Sequence, residues 1–150
     1  MEMGEKECAL VKHQNILVAT DGSPHSVAAL DQAMSFADSC NSTLYIIHAI
    51  DTNPEFLALS PALQDKLETE GTQILAEAKD KATKAGIRCE TIFDKSQQPY
   101  KAIVRAAKNK KIDLVVLGSH GKNAMTKLIM GSVTRQVIGH APCAVLVVPV

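Results

Sequence analysis

The chain has no tryptophan, few aromatic residues, no net charge and no long hydrophobic run. Its apolar run at residues 144–150 contains a proline and is far too short to cross a bilayer. Residues 1–12 have mixed charge and lack the apolar core of a signal peptide. We therefore expect a flexible leader over residues 1–12, a single domain over residues 13–150, no membrane partner and a cytoplasmic location.

The absence of net charge argues against a nucleic-acid partner, because such proteins usually carry a basic excess. Sixteen basic residues balance sixteen acidic ones. The balance hides an asymmetry, since no acidic residue follows Asp113 whereas Lys122, Lys127 and Arg135 do. A locally positive segment suits a phosphate ligand. Equally, a buried strand and a short helix leave little room for acidic residues.

Several common site signatures are also missing. The four cysteines have no CxxC or Cys/His spacing, which disfavours a structural zinc site, and we expect them to be reduced. No Walker A sequence, no GxGxxG after the first strand and no GxSxG elbow are present. The sequence thus disfavours P-loop, classical dinucleotide and hydrolase sites.

Short β-branched runs alternate with longer helical patterns along the chain. Residues 51–60 are polar and contain Pro54, which predicts a loop. Alternating strands and helices favour an α/β fold with a doubly wound parallel sheet and helices on both faces. We predict strands at residues 15–20, 43–50, 87–93, 112–117 and 143–148, and helices starting at Pro24 and spanning residues 61–85, 99–109 and 132–139.

A glycine segment follows the fourth predicted strand. It reads Gly118-Ser119-His120-Gly121, then nine residues, then Gly131-Ser132 at a helix start. Glycines let the backbone approach an anion closely, and the N–H groups of a helix start favour negative charge. This order of strand, loop and helix predicts a phosphate site. In a doubly wound sheet it would face the Asp21-Gly22-Ser23 turn if strands one and four are neighbours.

The spacing resembles that of a known family. The matching pieces are a first strand ending in residues 19–23, a second ending in residues 47–49, the glycine segment with Val133-Thr134, and the final strand at residues 142–148. Together they resemble the ATP-binding branch of the universal stress protein family. The resemblance implies a Rossmann-like five-stranded sheet in the order 3-2-1-4-5.

The resemblance also implies the site residues. Asp21 would lie near the ribose and phosphates, and Ala19 and Ala49 would line the adenine pocket. Backbone N–H groups of the glycine segment would hold phosphate, and the Ser132 hydroxyl would contact phosphate or cap the helix. The implied nucleotide-binding set is Ala19, Thr20, Asp21, Ala49, Leu117, Gly118, Ser119, His120, Gly121, Gly131, Ser132, Val133 and Thr134.

Four residues in or near this site have alternative interpretations. Asp21 could serve only as an Asx-type turn residue. His48 follows a buried run, which favours a hydrogen-bonded structural role. Lys122 could reach a phosphate, but we expect its side chain to extend into solvent. His120 could contact a ligand or be exposed.

The function that the resemblance implies is regulatory. The chain would bind ATP, or ADP or AMP, as a stress-response protein. Mg²⁺ could sit on the phosphates near Asp21, with no dedicated metal site. No catalytic residue is assigned, and hydrolysis would be slow at most, because the sequence offers no clear arginine clamp on the γ-phosphate. The alternatives are a stress protein that acts through partner contacts without nucleotide, and a slow ATPase or phosphotransferase.

The C-terminal strand predicts an association surface. An apolar strand at a sheet edge must be paired or covered. Pairing with a second copy would cover it, and the resemblance implies a homodimer of this kind, although a helix of the same chain could do so instead. The strand residues are Ala144, Val145, Leu146, Val147 and Val148.

Overall fold

Five parallel strands form one sheet in the order β3-β2-β1-β4-β5. We describe the fold from a computed structural model, which covers residues 14–121 and 130–149. The predicted leader, Lys122 and Lys127 lie outside these described residues. The strands are β1 (Asn15–Ala19), β2 (Thr43–Ala49), β3 (Cys89–Asp94), β4 (Leu114–Gly118) and β5 (Ala144–Val148), and the helices are α1 (Pro24–Cys40), α2 (Pro54–Leu59), α3 (Pro61–Lys84), α4 (Pro99–Asn109) and α5 (Ser132–His140).

Helices cover both faces of the sheet, which confirms the predicted doubly wound α/β fold. Along β1, Ile16 and Val18 pack with α1 and α3, whereas Leu17 packs with α4 and α5. All three side chains are fully buried. A strand covered on both faces must be apolar at every position, which explains the unbroken Ile-Leu-Val run.

The β1 and β4 strands are direct neighbours at the centre of the sheet. Val18 of β1 pairs with Val116 of β4. The chain leaves β1 toward α1 on one face and leaves β4 toward α5 on the other. The strand order therefore reverses between β1 and β4, and the loops after them diverge around a crevice.

The predicted loop at residues 51–60 is wrong, because it contains helix α2. Asn53 caps this helix, its side-chain oxygen accepting the Glu55 N–H at 2.9 Å. Pro54 follows at the first helical turn, where its missing N–H costs nothing. The proline therefore starts a helix here.

Two predicted strand starts are also too early. Ile87 lies just after α3 rather than in β3, and its N–H donates to the Ala82 carbonyl at 3.0 Å, which satisfies an acceptor of the last helical turn. Ile112 likewise donates to the Ala107 carbonyl at the end of α4, at 2.9 Å. Both isoleucines are buried, so their hydrophobicity reports packing rather than strand pairing.

The oxidation state of the cysteines agrees only in part with the expectation that they are reduced. Cys89 and Cys143 are free thiols, as expected. Cys40 is disulfide-bonded, so the expectation of reduced cysteines is wrong for this residue.

Candidate functional site

A cavity of about 250 Å³ lies at the carboxyl ends of β1, β2 and β4. Its floor comes from the strand ends and its walls from α3 on one side and α4 and α5 on the other. All predicted site residues except Ser119 line it. The lining residues are Ala19, Thr20, Asp21, Ser26, Ile47, His48, Ala49, Ile50, Asp51, Leu67, Glu70, Ile74, Pro99, Ile103, Leu117, Gly118, His120, Gly121, Gly131, Ser132, Val133 and Thr134.

The turn after β1 presents Asp21 to this cavity. One Asp21 carboxylate oxygen, Oδ1, accepts the Ser23 N–H at 2.9 Å. Gly22 has a φ of +80°, and a Cβ there would lie 3.1 Å from Ile74 Cδ1. Both observations favour glycine at residue 22. The turn role of Asp21 is confirmed, and the same residue also faces the cavity.

His48 joins the end of β2 to this turn. Its Nδ1 lies 2.8 Å from the Thr20 carbonyl oxygen. A carbonyl only accepts, so Nδ1 carries a hydrogen and is the donor. The ring also packs edge-on against Phe93, with centroids 5.6 Å apart. The predicted structural role of His48 is confirmed, although the residue also lines the cavity.

The two described ends of the glycine segment are tied together. The Gly131 N–H donates to the Ser119 carbonyl at 2.9 Å, and the Thr134 hydroxyl donates to the Gly118 carbonyl at 2.8 Å. A Cβ at Gly118 would lie 3.0 Å from the His25 carbonyl oxygen. Glycine at residue 118 therefore lets β4 end directly against the start of α1.

The other two glycines differ in how tightly they are enclosed. A Cβ at Gly121 would lie 3.1 Å from Asp21 Oδ2, whereas for a Cβ at Gly131 the nearest atom among the described residues, the Ser119 carbonyl oxygen, would lie 3.5 Å away. Glycine at residue 121 thus allows a close approach to Asp21. The described part of the fold would accept a methyl group at residue 131.

Helix α5 points its N-terminus at the cavity. Its N-cap is Gly131, which provides no side-chain hydrogen bond, and Ser132 is already its first helical residue. The expectation that Ser132 could cap this helix is therefore wrong. The first-turn N–H groups have no intrahelical acceptor and no capping hydrogen bond from the Gly131 N-cap, and they present the positive end of the helix dipole.

His120 and Ser119, both within the glycine segment, form a buried pair. The Ser119 hydroxyl and His120 Nδ1 lie 2.9 Å apart. His120 is only 8% exposed, so the alternative of simple exposure is wrong. Its Nε2 is buried and has no hydrogen-bond partner among the described residues. Ser119 acts here through its backbone and through His120 rather than as a cavity wall.

The α3 wall was not expected from the sequence. Leu67, Glu70 and Ile74 recur at helical spacing on one side of α3 and line the cavity. The sequence does indicate that Leu67 and Ile74 face inward, since both belong to the apolar pattern of this helix. It gives no such indication for Glu70, because an acidic residue on a long helix is ordinarily solvent-facing.

Within residues 14–121 and 130–149, the cavity wall carries acidic side chains and two histidines but no lysine or arginine. Asp21, Asp51 and Glu70 line it, and neither lysine nor arginine does. A second, more open hollow of about 530 Å³ adjoins it and shares Asp21, Glu70, Ile74 and Gly121 as lining. In the same part of the chain no group of three or more acidic, histidine or cysteine side chains could hold a metal ion. No helix there is long and apolar enough to span a membrane.

The sequence and fold both match known proteins. The universal stress protein family matches residues 12–149. Universal stress protein MJ0531 from Methanocaldococcus jannaschii is 34% identical over 142 residues, covering 91% of this chain and 82% of that protein.

Two solved structures have the same fold. The hypothetical protein MJ0577 has a TM-score of 0.82 at 27% identity, with 93% of this chain and 98% of that chain covered. A universal stress protein in complex with cAMP has a TM-score of 0.67 at 31% identity, with 91% and 96% covered.

Proposed function

The chain belongs to the universal stress protein family, and from that premise we propose that it binds an adenine nucleotide in the cavity at the ends of β1, β2 and β4. It would act as a regulatory, stress-response protein whose state depends on the bound nucleotide. A relative 31% identical to this chain has been crystallised with cAMP. The proposal extends that adenine chemistry to ATP, ADP or AMP in this chain.

The observation that carries the proposal is the uncapped N-terminus of α5 beside two glycines. Backbone N–H groups in the first helical turn bind phosphate oxygens readily. A methyl group at Gly131 would meet no atom of residues 14–121 and 130–149 closer than 3.5 Å, so this part of the fold does not require glycine there. A ligand phosphate that approaches the backbone closely would explain why residue 131 is glycine, because a side chain there would stand in its way. The backbone N–H groups of Gly121, Gly131, Ser132 and Val133 would together form this phosphate-binding site, which we call the phosphate cradle.

The apolar part of the cavity would take the base. Ala19 and Ala49 end β1 and β2 with small side chains, and Leu117 lies near the end of β4. Small residues leave a slot between strand ends that a flat ring can enter, while Asp21 would lie toward the ribose and phosphates. Small-molecule sites commonly combine such an apolar floor with a few polar groups.

Mg²⁺ would arrive with the nucleotide. The described residues lack a ready group of metal ligands, so the phosphates would supply most of the coordination and Asp21 the nearest carboxylate. Hydrolysis would be slow at most. No lysine or arginine among the described lining residues could stabilise charge on a transferred phosphoryl group.

We also propose that the chain forms a homodimer through β5. This strand lies at the edge of the sheet and reads Ala-Val-Leu-Val-Val. Ala144 is exposed, and residues 145–148 are only half-buried. Apolar edge strands promote pairing unless they are covered. A second copy would cover the edge and the half-buried valines together.

Calorimetric titration of the nucleotide-stripped protein with ATP and Mg²⁺ tests nucleotide binding. Gly131→Ala should weaken binding by roughly tenfold, equivalent to about 1.4 kcal/mol, and Gly131→Val should weaken it further. Gly139→Ala is the matched control, because it lies at the other end of α5 with open space around it. Binding that Gly131→Val leaves unchanged would contradict this cradle. No binding by the unaltered protein would leave a stress protein that works through partner contacts.

A further inference from the structure

Glu70 occupies an unusual position for an acidic residue of a phosphate site. It lines both the inner cavity and the adjoining hollow, together with Asp21 and Gly121. Those shared residues mark the junction of the two spaces, next to the proposed phosphate cradle. Glu70 is only partly exposed, and no described residue forms an ion pair with it.

Neighbouring acidic residues on α3 differ from Glu70. Glu68 lines neither space and pairs with Lys95, the nitrogen and oxygen lying 3.4 Å apart. Glu70, Leu67 and Ile74 share the cavity-facing side of the helix. The negative charge of Glu70 is therefore held at the cavity without a counter-charge from the described residues.

We infer that Glu70 makes this site discriminate by the charge of the ligand phosphate. The inference rests on the proposed nucleotide function and names the chemical form that the site prefers. The N-terminus of α5 attracts phosphate from one side, while Glu70 opposes added negative charge from α3. A metal-free triphosphate carries the most charge and is opposed most. Monophosphates, cyclic monophosphates and Mg²⁺-complexed triphosphates carry less and are preferred.

The physical reason is the poor screening of charges inside a cavity. Coulomb interactions there are several times stronger than in bulk water. Replacing a carboxylate by an amide of the same shape removes the repulsion but keeps the packing. Glu70→Gln should therefore tighten binding of metal-free ATP by about fivefold or more, with a smaller gain for AMP.

The experiment is a calorimetric titration of the full chain with adenosine, AMP, ATP in chelator and ATP with Mg²⁺. Four proteins are compared: the unaltered chain, Glu70→Gln, the charge-reversing Glu70→Lys, and Glu68→Gln as control. Glu68→Gln makes the same chemical change two residues away, outside both spaces, and should alter affinity by less than about twofold. Thermal unfolding verifies that each variant is folded.

The pattern of affinities decides the inference. It is supported if affinity for metal-free ATP rises in Glu70→Gln and rises more in Glu70→Lys, while adenosine binds equally to all four proteins. It is overturned if ATP affinity does not rise, or if adenosine gains as much as ATP, because shape and not charge would then be at work. If neither adenosine nor any nucleotide binds the unaltered chain, the proposed function fails as well.

Discussion

Gly71 gives the most direct test of how α3 is held against the sheet. A Cβ at residue 71 would lie 2.6 Å from Phe93 Cζ and 2.8 Å from His48 Cδ2. Carbon atoms pack best about 3.5–4.0 Å apart, so a methyl group there overlaps both rings by roughly 1 Å. Gly71→Ala should therefore force α3 or the rings to move.

The expected magnitude follows from two opposed terms. Overpacking a fitted core costs about 1–3 kcal/mol. Alanine in a helix interior is favoured over glycine by about 1 kcal/mol. The net expectation for Gly71→Ala is a destabilisation of up to about 2 kcal/mol, which lowers Tm by roughly 2–4 °C for each kcal/mol in a chain of this size.

Gly139 provides the matched control, because it is also helical but has no atom of the described residues within 4 Å of the position that a methyl group would take. Gly139→Ala should be neutral or stabilise the fold by up to about 1 kcal/mol, as it keeps only the propensity term. Urea unfolding of both variants measures the difference. If Gly71→Ala is as stable as Gly139→Ala, the close packing of α3 on Phe93 and His48 is refuted.

A second substitution separates the clash from other causes. Phe93→Leu in the Gly71→Ala background removes the ring and should recover part of the lost stability. The double-mutant cycle should then show coupling between the two positions. Additive effects would mean that the methyl group at residue 71 does not act through Phe93.

Both edges of the sheet offer further tests. If the proposed homodimer forms, Val147→Lys should convert it to a monomer in light scattering. Ile138→Lys is the control, because Ile138 is apolar and 48% exposed but lies on α5, and it should leave the chain dimeric. A monomeric unaltered chain would contradict the proposed β5 interface. Burial raises the pKa of Asp94, but hydrogen bonds from Ser96 and the ion pair with Arg105 outweigh this and hold the pKa below its usual value. A carboxyl group with a lowered pKa stabilises the fold above about pH 4, and this contribution is lost as the pH falls through the folded-state pKa. Arg105→Ala should therefore lower the free energy of unfolding by up to about 1 kcal/mol at pH 7 and by progressively less below pH 4, as measured by urea unfolding. A loss of stability that does not depend on pH would contradict the pairing of Arg105 with Asp94.

The central strands and their turns could be predicted from the sequence because their signals are local. The β1 strand is a short apolar run followed by Asp21 and Gly22, and a glycine at positive φ marks that turn directly. The β4 strand and the glycine segment are likewise visible in the sequence, as an apolar run followed by regularly spaced glycines. Helix α2 could not be predicted from Pro54 alone, since proline is common both in loops and at helix starts, and the preceding Asn53 decides between them by capping the helix.

The α3 wall could be predicted only in part, because helical spacing places Glu70 near Leu67 and Ile74, but the sequence alone does not show that Glu70, unlike Glu68, reaches the cavity. The two differ only in which side of the helix meets the sheet. Gly71 contributes to that orientation, since its missing side chain lets α3 approach Phe93 and His48. A glycine in the middle of a long helix is a local sign of this contact, and its partners are known only from the fold.

Ligand preference depends on both the local signals and the docking of α3. The proposed phosphate cradle consists of backbone N–H groups, which nearly every residue has, so only its glycines and the helix start are visible in the sequence. Such a cradle favours anions and attracts them more strongly as their negative charge increases. Discrimination against added negative charge needs an acidic side chain near the phosphates, and Glu70 of α3 supplies one in addition to Asp21 and Asp51. The kind of ligand is therefore indicated by the glycine segment, whereas its preferred charge state depends on how α3 docks against the strand ends.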